Sequence, residues 1–290
     1  SQPEHPRRAE MMLKLMDGYA ITARHEDVIT TGRQFLELFP GNPLSNEARD
    51  RLATALERTG RGTQAATQRG DIWRNGGSVA EGLRSLQLSM QANNGNAFKE
   101  ATTLATEMVE KLPVDVTLTA VGFQGMEAAE RTEQWTEGLQ LAKALLRRQA
   151  PLNELRQSDL WYRSGRFESR LGQHENAVES FRKALAPGRD DIHRALIQAM
   201  SAAAKPPADI EAEARRYLAA FPQRDDRYES LATAAGAAVV AKDIAWALAI
   251  AEEIMASNPT LGDLPSSYVQ WCGEDHKRAE QGLVKLIGEN

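Results

Sequence analysis

Arg33-Gln34-Phe35-Leu36-Glu37-Leu38-Phe39-Pro40 returns far down the chain as Arg215-Arg216-Tyr217-Leu218-Ala219-Ala220-Phe221-Pro222, and that return decides the fold. In both stretches an aromatic residue stands five positions before a proline. Met108 stands five before Pro113 and Ile254 five before Pro259. An apolar side chain is thus fixed relative to each breaker, as suits a residue that locks one structural unit onto the next. Proline cannot continue a helix and biases the residue before it away from the helical region, so each marks the loop after a helix. Pro113, Pro151, Pro187, Pro222 and Pro259 are separated by 38, 36, 35 and 37 residues. Pro40 lies 73 residues before Pro113, two such steps, and the skipped slot holds another breaker, Gly76-Gly77. A period of that length is the mark of stacked repeats.

Each period divides again into two helical stretches. Ser158 to Leu171 and Glu175 to Leu185 flank Gly172-Gln173, while Tyr228 to Val240 and Ile244 to Ala256 flank Ala241-Lys242-Asp243. No run alternates β-branched and polar residues, so the expected class is all-α. The approximate units are 9–45, 46–81, 82–118, 119–156, 158–190, 191–227 and 228–262. Residues 263–290, with Tyr268 to Trp271 and an expected helix from Asp275 to Ile287, form a C-terminal cap that shields the last apolar face. The period runs through Ala203-Ala204-Lys205-Pro206-Pro207, so residues 1–290 read as one array.

The fifth unit resembles a tetratricopeptide repeat: Trp161, Gly165, Gly172, Ala177, Phe181 and Ala184 fall at that family's spacing. Tyr19 and Pro40 fit in the first unit, Gly60 and Ala65 in the second, Ala101 in the third and Ala247 in the seventh. The fifth unit departs from the pattern at Glu168, where the family usually has tyrosine, and at Pro187, two residues before its usual slot. The resemblance implies a right-handed superhelical α-solenoid of about seven helix-turn-helix repeats, with the first helices lining a concave groove. It also implies that Gly165 and Ala177 let two helices cross closely while Trp161 and Phe181 fill the space around them.

Composition narrows the function. The 42% of hydrophobic residues supply a core, and frequent alanine favours helices packed at short range. Thirty-five basic against 40 acidic residues give a net charge of −5, and the charges are interspersed. No basic block of the kind a nucleic-acid footprint needs is present, so nucleic acid is not an expected partner. Cys272 is the one cysteine and cannot form an intramolecular disulfide. The longest apolar stretch, Ala232 to Ala241, is closed by Lys242 and is too short to span a membrane. The chain begins at Ser1 rather than methionine and carries no charged-then-apolar leader, which fits a mature form or a piece of a longer protein. A cytoplasmic and an exported home both stay open.

No motif for catalysis, metal or cofactor stands out. His5, His25, His174, His193 and His276 lie in no HExxH frame. Cys272 and His276, four apart, fall short of the three or four ligands zinc needs. Asp191 and His193 point to different faces of a helix, Gly60-Arg61-Gly62 lacks the phosphate-loop lysine, and Glu252-Glu253 reads as a solvated face. The chain is therefore expected to be a non-catalytic scaffold that binds a protein or peptide, with no cofactor.

Two stripes are candidates for that binding. Arg163, Arg166 and Arg170 are spaced by three and four residues, so they share a helix face beside Tyr162. By the resemblance they fall at groove slots, where guanidinium groups would pair the carboxylates of an acidic segment. Pairing with Glu127 and Glu130 of the preceding unit would make the same stripe structural. Leu83, Leu86 and Met90 also fall at groove slots and would hold apolar side chains of a partner, although periodicity alone gives a core face the same pattern. The tetratricopeptide domains that clamp acidic chaperone tails use lysine at slots that here hold Leu13, Asp50, Leu86, Phe123, Tyr162, Ala195 and Ala232, so that activity is not expected. Phe39-Pro40-Gly41-Asn42-Pro43 resembles repeats of bacterial cell-envelope assembly proteins. The alternatives are accordingly a structural or assembly subunit that self-associates through its ends or outer face, and the non-catalytic region of a longer enzyme or sensor.

Overall fold

In the computed structural model of the chain, residues 7–223, 228–257, 269 and 278 are described. They form fourteen helices, and no strand occurs among them. The chain divides into two compact units, residues 1–151 and 152–290. The first holds α1 (Arg8–Ile21), α2 (His25–Leu38), α3 (Ser45–Arg58), α4 (Gly62–Arg74), α5 (Val79–Gln91), α6 (Gly95–Lys111), α7 (Val116–Arg131) and α8 (Trp135–Arg147). The second holds α9 (Glu154–Arg170), α10 (His174–Ala184), α11 (Asp190–Ala202), α12 (Pro207–Ala220), α13 (Tyr228–Val240) and α14 (Ile244–Ser257). Within each unit every helix packs on the next in sequence, so the architecture is an all-α array of helical hairpins. The expected C-terminal cap, and with it Cys272 and His276, lies outside the described residues.

The hairpins share one turn. Between first and second helix the chain passes through a single left-handed residue: Ala23, Gly60, Asn93, Glu133, Gly172, Ala204 and Lys242, with φ between 47° and 75°. In six of the seven the residue after it donates its N–H to a carbonyl five positions back, such as Arg24 to Tyr19 at 2.9 Å and Gln173 to Glu168 at 2.8 Å. That bond and the left-handed residue end the first helix and satisfy its free carbonyls. Glycine takes this conformation without strain, but only two of the seven turns use it.

Fitting small residues against large ones sets the packing. A Cβ on Gly165 would lie 2.7 Å from the ring of Phe181, so this glycine makes room for the fully buried phenylalanine of α10, while Ala177 is buried beside it. Trp161 is half-buried, with the Lys183 ammonium 4.5 Å from its ring centre. Glu168 is buried and accepts a hydrogen bond from the buried Ser180 hydroxyl at 2.6 Å. A polar pair across α9 and α10 thus stands where the repeat pattern has tyrosine, because a buried carboxylate needs such a donor. Helix α9 begins at Glu154, four residues earlier than the periodicity predicts, because the Asn153 side chain caps it by accepting from the N–H of Arg156 at 2.9 Å.

Candidate functional site

Helices α9 and α11, the first helices of consecutive hairpins in the second unit, lie side by side across α10. Residues at i, i+4, i+7 and i+8 of α9 share a face, which brings Tyr162, Arg166, Ser169 and Arg170 together. The facing side of α11 carries Ala195, Gln198, Ala199 and Ala202. Small side chains on one wall and long ones on the other leave a cleft of about 300 Å³ that Phe181 and His174 of α10 also line.

Tyr162 is half-buried, its ring 5.8 Å from that of Phe181. The Arg166 guanidinium lies 5.9 Å and that of Arg189 5.1 Å from the Tyr162 ring centre. Arg189 is held by two bonds of 2.8 Å to the Asp191 carboxylate. That pairing keeps Asp191 below the usual carboxylate range and raises Arg189 against the cost of its burial. Arg166 and Arg170 are exposed at the rim.

The predicted residues are only partly brought together. Tyr162, Arg166 and Arg170 line one cleft, while Arg163 is half-buried and turned along the helix, its Nε donating to Asp159 at 3.2 Å. Glu127, one of the two glutamates of the alternative pairing, is in an ion pair with Arg131 one turn on, at 2.8 Å. Leu86 has no exposed surface and is a core side chain of α5; Leu83 and Met90 are half-buried. The clamp slots Leu13 and Phe123 are buried as well.

His174 lines the cleft without having been singled out by the sequence. Its Nδ1 is shut off from solvent and has no hydrogen-bond partner among the described residues. The available signal was its place: it opens the second helix, directly after the Gly172-Gln173 turn. The first unit has a counterpart, since His25 opens α2 and lines a cleft of about 380 Å³ between α1 and α3 with Arg51 and Arg58. There Arg51 is committed to Asp17, at 2.6 and 3.2 Å, and to Glu47. Among the described residues no cluster of three or more potential metal ligands occurs, and no helix is long and apolar enough to cross a membrane.

These hairpins make the chain an all-α helical repeat array. No protein-family model matches it, and neither does any curated protein. Similar solved structures include the Cut9–Hcn1 hetero-tetramer of the APC/C, with a TM-score of 0.41 and 16% identity over 80% of this chain and 44% of that one. The C-terminal part of a TPR repeat-containing protein from Cytophaga hutchinsonii gives 0.45 and 14%, covering 93% of this chain and 99% of that one. A signal transduction ATPase with a tetratricopeptide repeat sensor, from Pyrococcus horikoshii, gives 0.41 and 14% over 79% and 38%. The chain thus spans less than half the length of the first and third of these. The likeness is one of fold.

Proposed function

We propose that this chain acts by binding rather than catalysis, as a scaffold that holds a segment of a partner protein in the cleft between α9 and α11. An acidic residue of that segment faces Arg166 and Arg170, and an apolar neighbour lies against Tyr162 and the alanines of α11. The observation that carries this reading is the convergence of two exposed arginines and a half-buried tyrosine on one cleft with a wall of small residues. Arginine offers a planar fork of donors that matches a carboxylate, and tyrosine offers apolar area at small entropic cost. The test is affinity capture with the wild-type chain beside Arg166→Glu/Arg170→Glu and Arg163→Glu, followed by mapping of the captured partner with short peptides. The reading requires a partner lost by the double variant, kept by Arg163→Glu, and reduced to one acidic peptide. Retention of every partner by the double variant sinks it.

A second reading, self-association, is favoured by a separate observation. On α1, Met11, Leu15 and Ile21 are 63%, 46% and 85% exposed. Met11 and Leu15, four residues apart, share one face of α1, and exposed large apolar side chains on one face offer a contact surface. Light scattering over a concentration series tests this reading; a mass that stays monomeric, in both the wild type and Met11→Glu/Leu15→Glu, rules it out.

A further inference from the structure

The cleft between α1 and α3 in the first unit is lined by cations alone among its charged groups. Arg51, Arg58 and His25 border it, and no carboxylate does. The carboxylates of the surrounding turns are committed to other arginines. Asp17 and Glu47 hold Arg51, Glu26 pairs with Arg61 at 2.6 Å, and Asp27 pairs with Arg24 at 2.7 Å. Glu57, next to Arg58 in sequence, accepts from Arg69 and Arg84. Arg58 stands exposed in the last turn of α3 and forms no ion pair or hydrogen bond with a described residue. His25 is half-buried and forms none either.

The rest of the lining is partly apolar. Val28 and Ala55 are buried, and Ala20 lies beside them. A cleft of about 380 Å³ that sets a few polar groups against apolar side chains has the make-up of a small-ligand site. The arrangement also recurs. Of the seven second helices, only α2 and α10 open on histidine, and each of those histidines lines a cleft with two arginines and no carboxylate. A guanidinium has five donors and no acceptor, and a carboxylate is the organic group that matches its fork with two parallel bonds. An uncharged group gains no such pairing, and a cation is repelled.

We propose that this cleft binds an organic acid with a short aliphatic stem. The carboxylate accepts from the Arg58 guanidinium and from the His25 ring, and the stem lies against Ala20, Val28 and Ala55. Arg51 contributes position more than charge, because Asp17 and Glu47 already neutralise it. The site belongs to the first unit and shares no residue with the cleft between α9 and α11, so either can fail without the other. The same chemistry is offered by a free aliphatic acid and by an acidic side chain of a partner protein.

The test is a titration of the isotope-labelled full chain, followed by NMR, with hexanoate as probe and hexanamide as its uncharged counterpart. Hexanoate is expected to give saturable shifts at the amides of residues 20–28 and 51–58, with a Kd of the order of 1 mM. Acetate, which lacks the stem, should bind about tenfold more weakly, since each buried methylene adds to affinity. Arg58→Gln should weaken hexanoate about tenfold, as loss of a charged hydrogen-bond partner does. Because Arg58 is exposed and unpaired, thermal melts of that variant should match the wild type. Arg33→Gln removes the same charge from α2 outside the cleft and should leave the affinity unchanged. The proposal is overturned if no saturable shift appears at these residues, if hexanamide or inorganic phosphate binds as tightly as hexanoate, or if Arg58→Gln binds like the wild type. N-acetyl-glutamate methylamide is the arm for source. Binding equal to that of hexanoate supports an acidic side chain of a partner, and binding confined to hexanoate supports a free acid.

Discussion

At the scale of single residues, the hairpin turns hold the clearest physical contrast. Gly60 and Gly172 take the left-handed conformation freely, while Ala23, Glu133 and Lys242 take it against the Cβ clash that disfavours it. Ala23 is exposed and its side chain supports nothing around it. Ala23→Gly should therefore raise stability by about 0.5 kcal/mol, relief of the clash being partly offset by the freer unfolded chain. Gly60→Ala should lower it by about 1 kcal/mol, and midpoints of urea unfolding measure both. A second residue-scale consequence follows from Glu213, buried on α12. The hydrogen bond to His193, 2.9 Å away, and the ion pair with Arg216, also 2.9 Å, hold its carboxyl below the ordinary value of 4.5 against the opposing effect of burial. A depressed folded-state value contributes stability that is whole above about pH 4.5 and is lost as the pH falls through the folded value. Thermal melts taken from about pH 6 downwards should show that loss for the wild type and a shallower one for Glu213→Gln.

At the scale of helices, small residues decide how closely neighbours approach. A Cβ on Gly125 of α7 would lie 2.4 Å from the Ala105 Cβ on α6 and 2.8 Å from Leu141 of α8. Alanine has no rotamer to yield, so Gly125→Ala must push α6 and α7 apart and should cost about 1–3 kcal/mol. Gly18, in α1, would meet nothing within 4 Å, so Gly18→Ala should stabilise by about 0.5–1 kcal/mol through helix propensity alone. Opposite signs for one chemical change, read by denaturant midpoints, check that contact and not propensity governs Gly125. The same distinction explains how far the sequence was legible. Prolines and glycines gave the period, and the spacing around Trp161, Gly165 and Phe181 gave the hairpin, because breakers and steric fit leave marks one residue wide. Six of the seven turns make the same carbonyl bond, yet most lack glycine, so their shared geometry left no mark. Leu86 shows the other limit: an i, i+3, i+7 pattern looks the same whether it faces a groove or a core, and here it faces the core. In the candidate site, Tyr162, Arg166 and Arg170 follow from helical spacing, whereas for His174 the turn before it marks only the start of α10, and its place in the cleft depends on how α10 packs beside α9.

At the scale of the whole molecule, a net charge of −5 coexists with a cleft rimmed by two arginines. An acidic partner is repelled at long range and drawn in only within the local field, since charges beyond about 8–10 Å are largely screened at physiological salt. Affinity for such a partner should therefore rest on the few groups at the cleft. Because Arg166 and Arg170 are exposed, reversing them should cost less stability than removing the half-buried Tyr162 ring. Partner affinity should nevertheless fall by about tenfold or more, as loss of charge-assisted bonds at a binding centre does. Tyr162→Ala gives a different signature, because its ring packs on Phe181 and its removal leaves a gap in the second unit: affinity and melting temperature should fall together. Calorimetric titration of the partner against each variant, paired with thermal melts, separates the two. If Arg166→Glu/Arg170→Glu melts as low as Tyr162→Ala, the arginines hold the repeat together and the cleft needs another ligand. If it melts like the wild type and binds no partner, recognition resides in the two guanidinium groups at the rim.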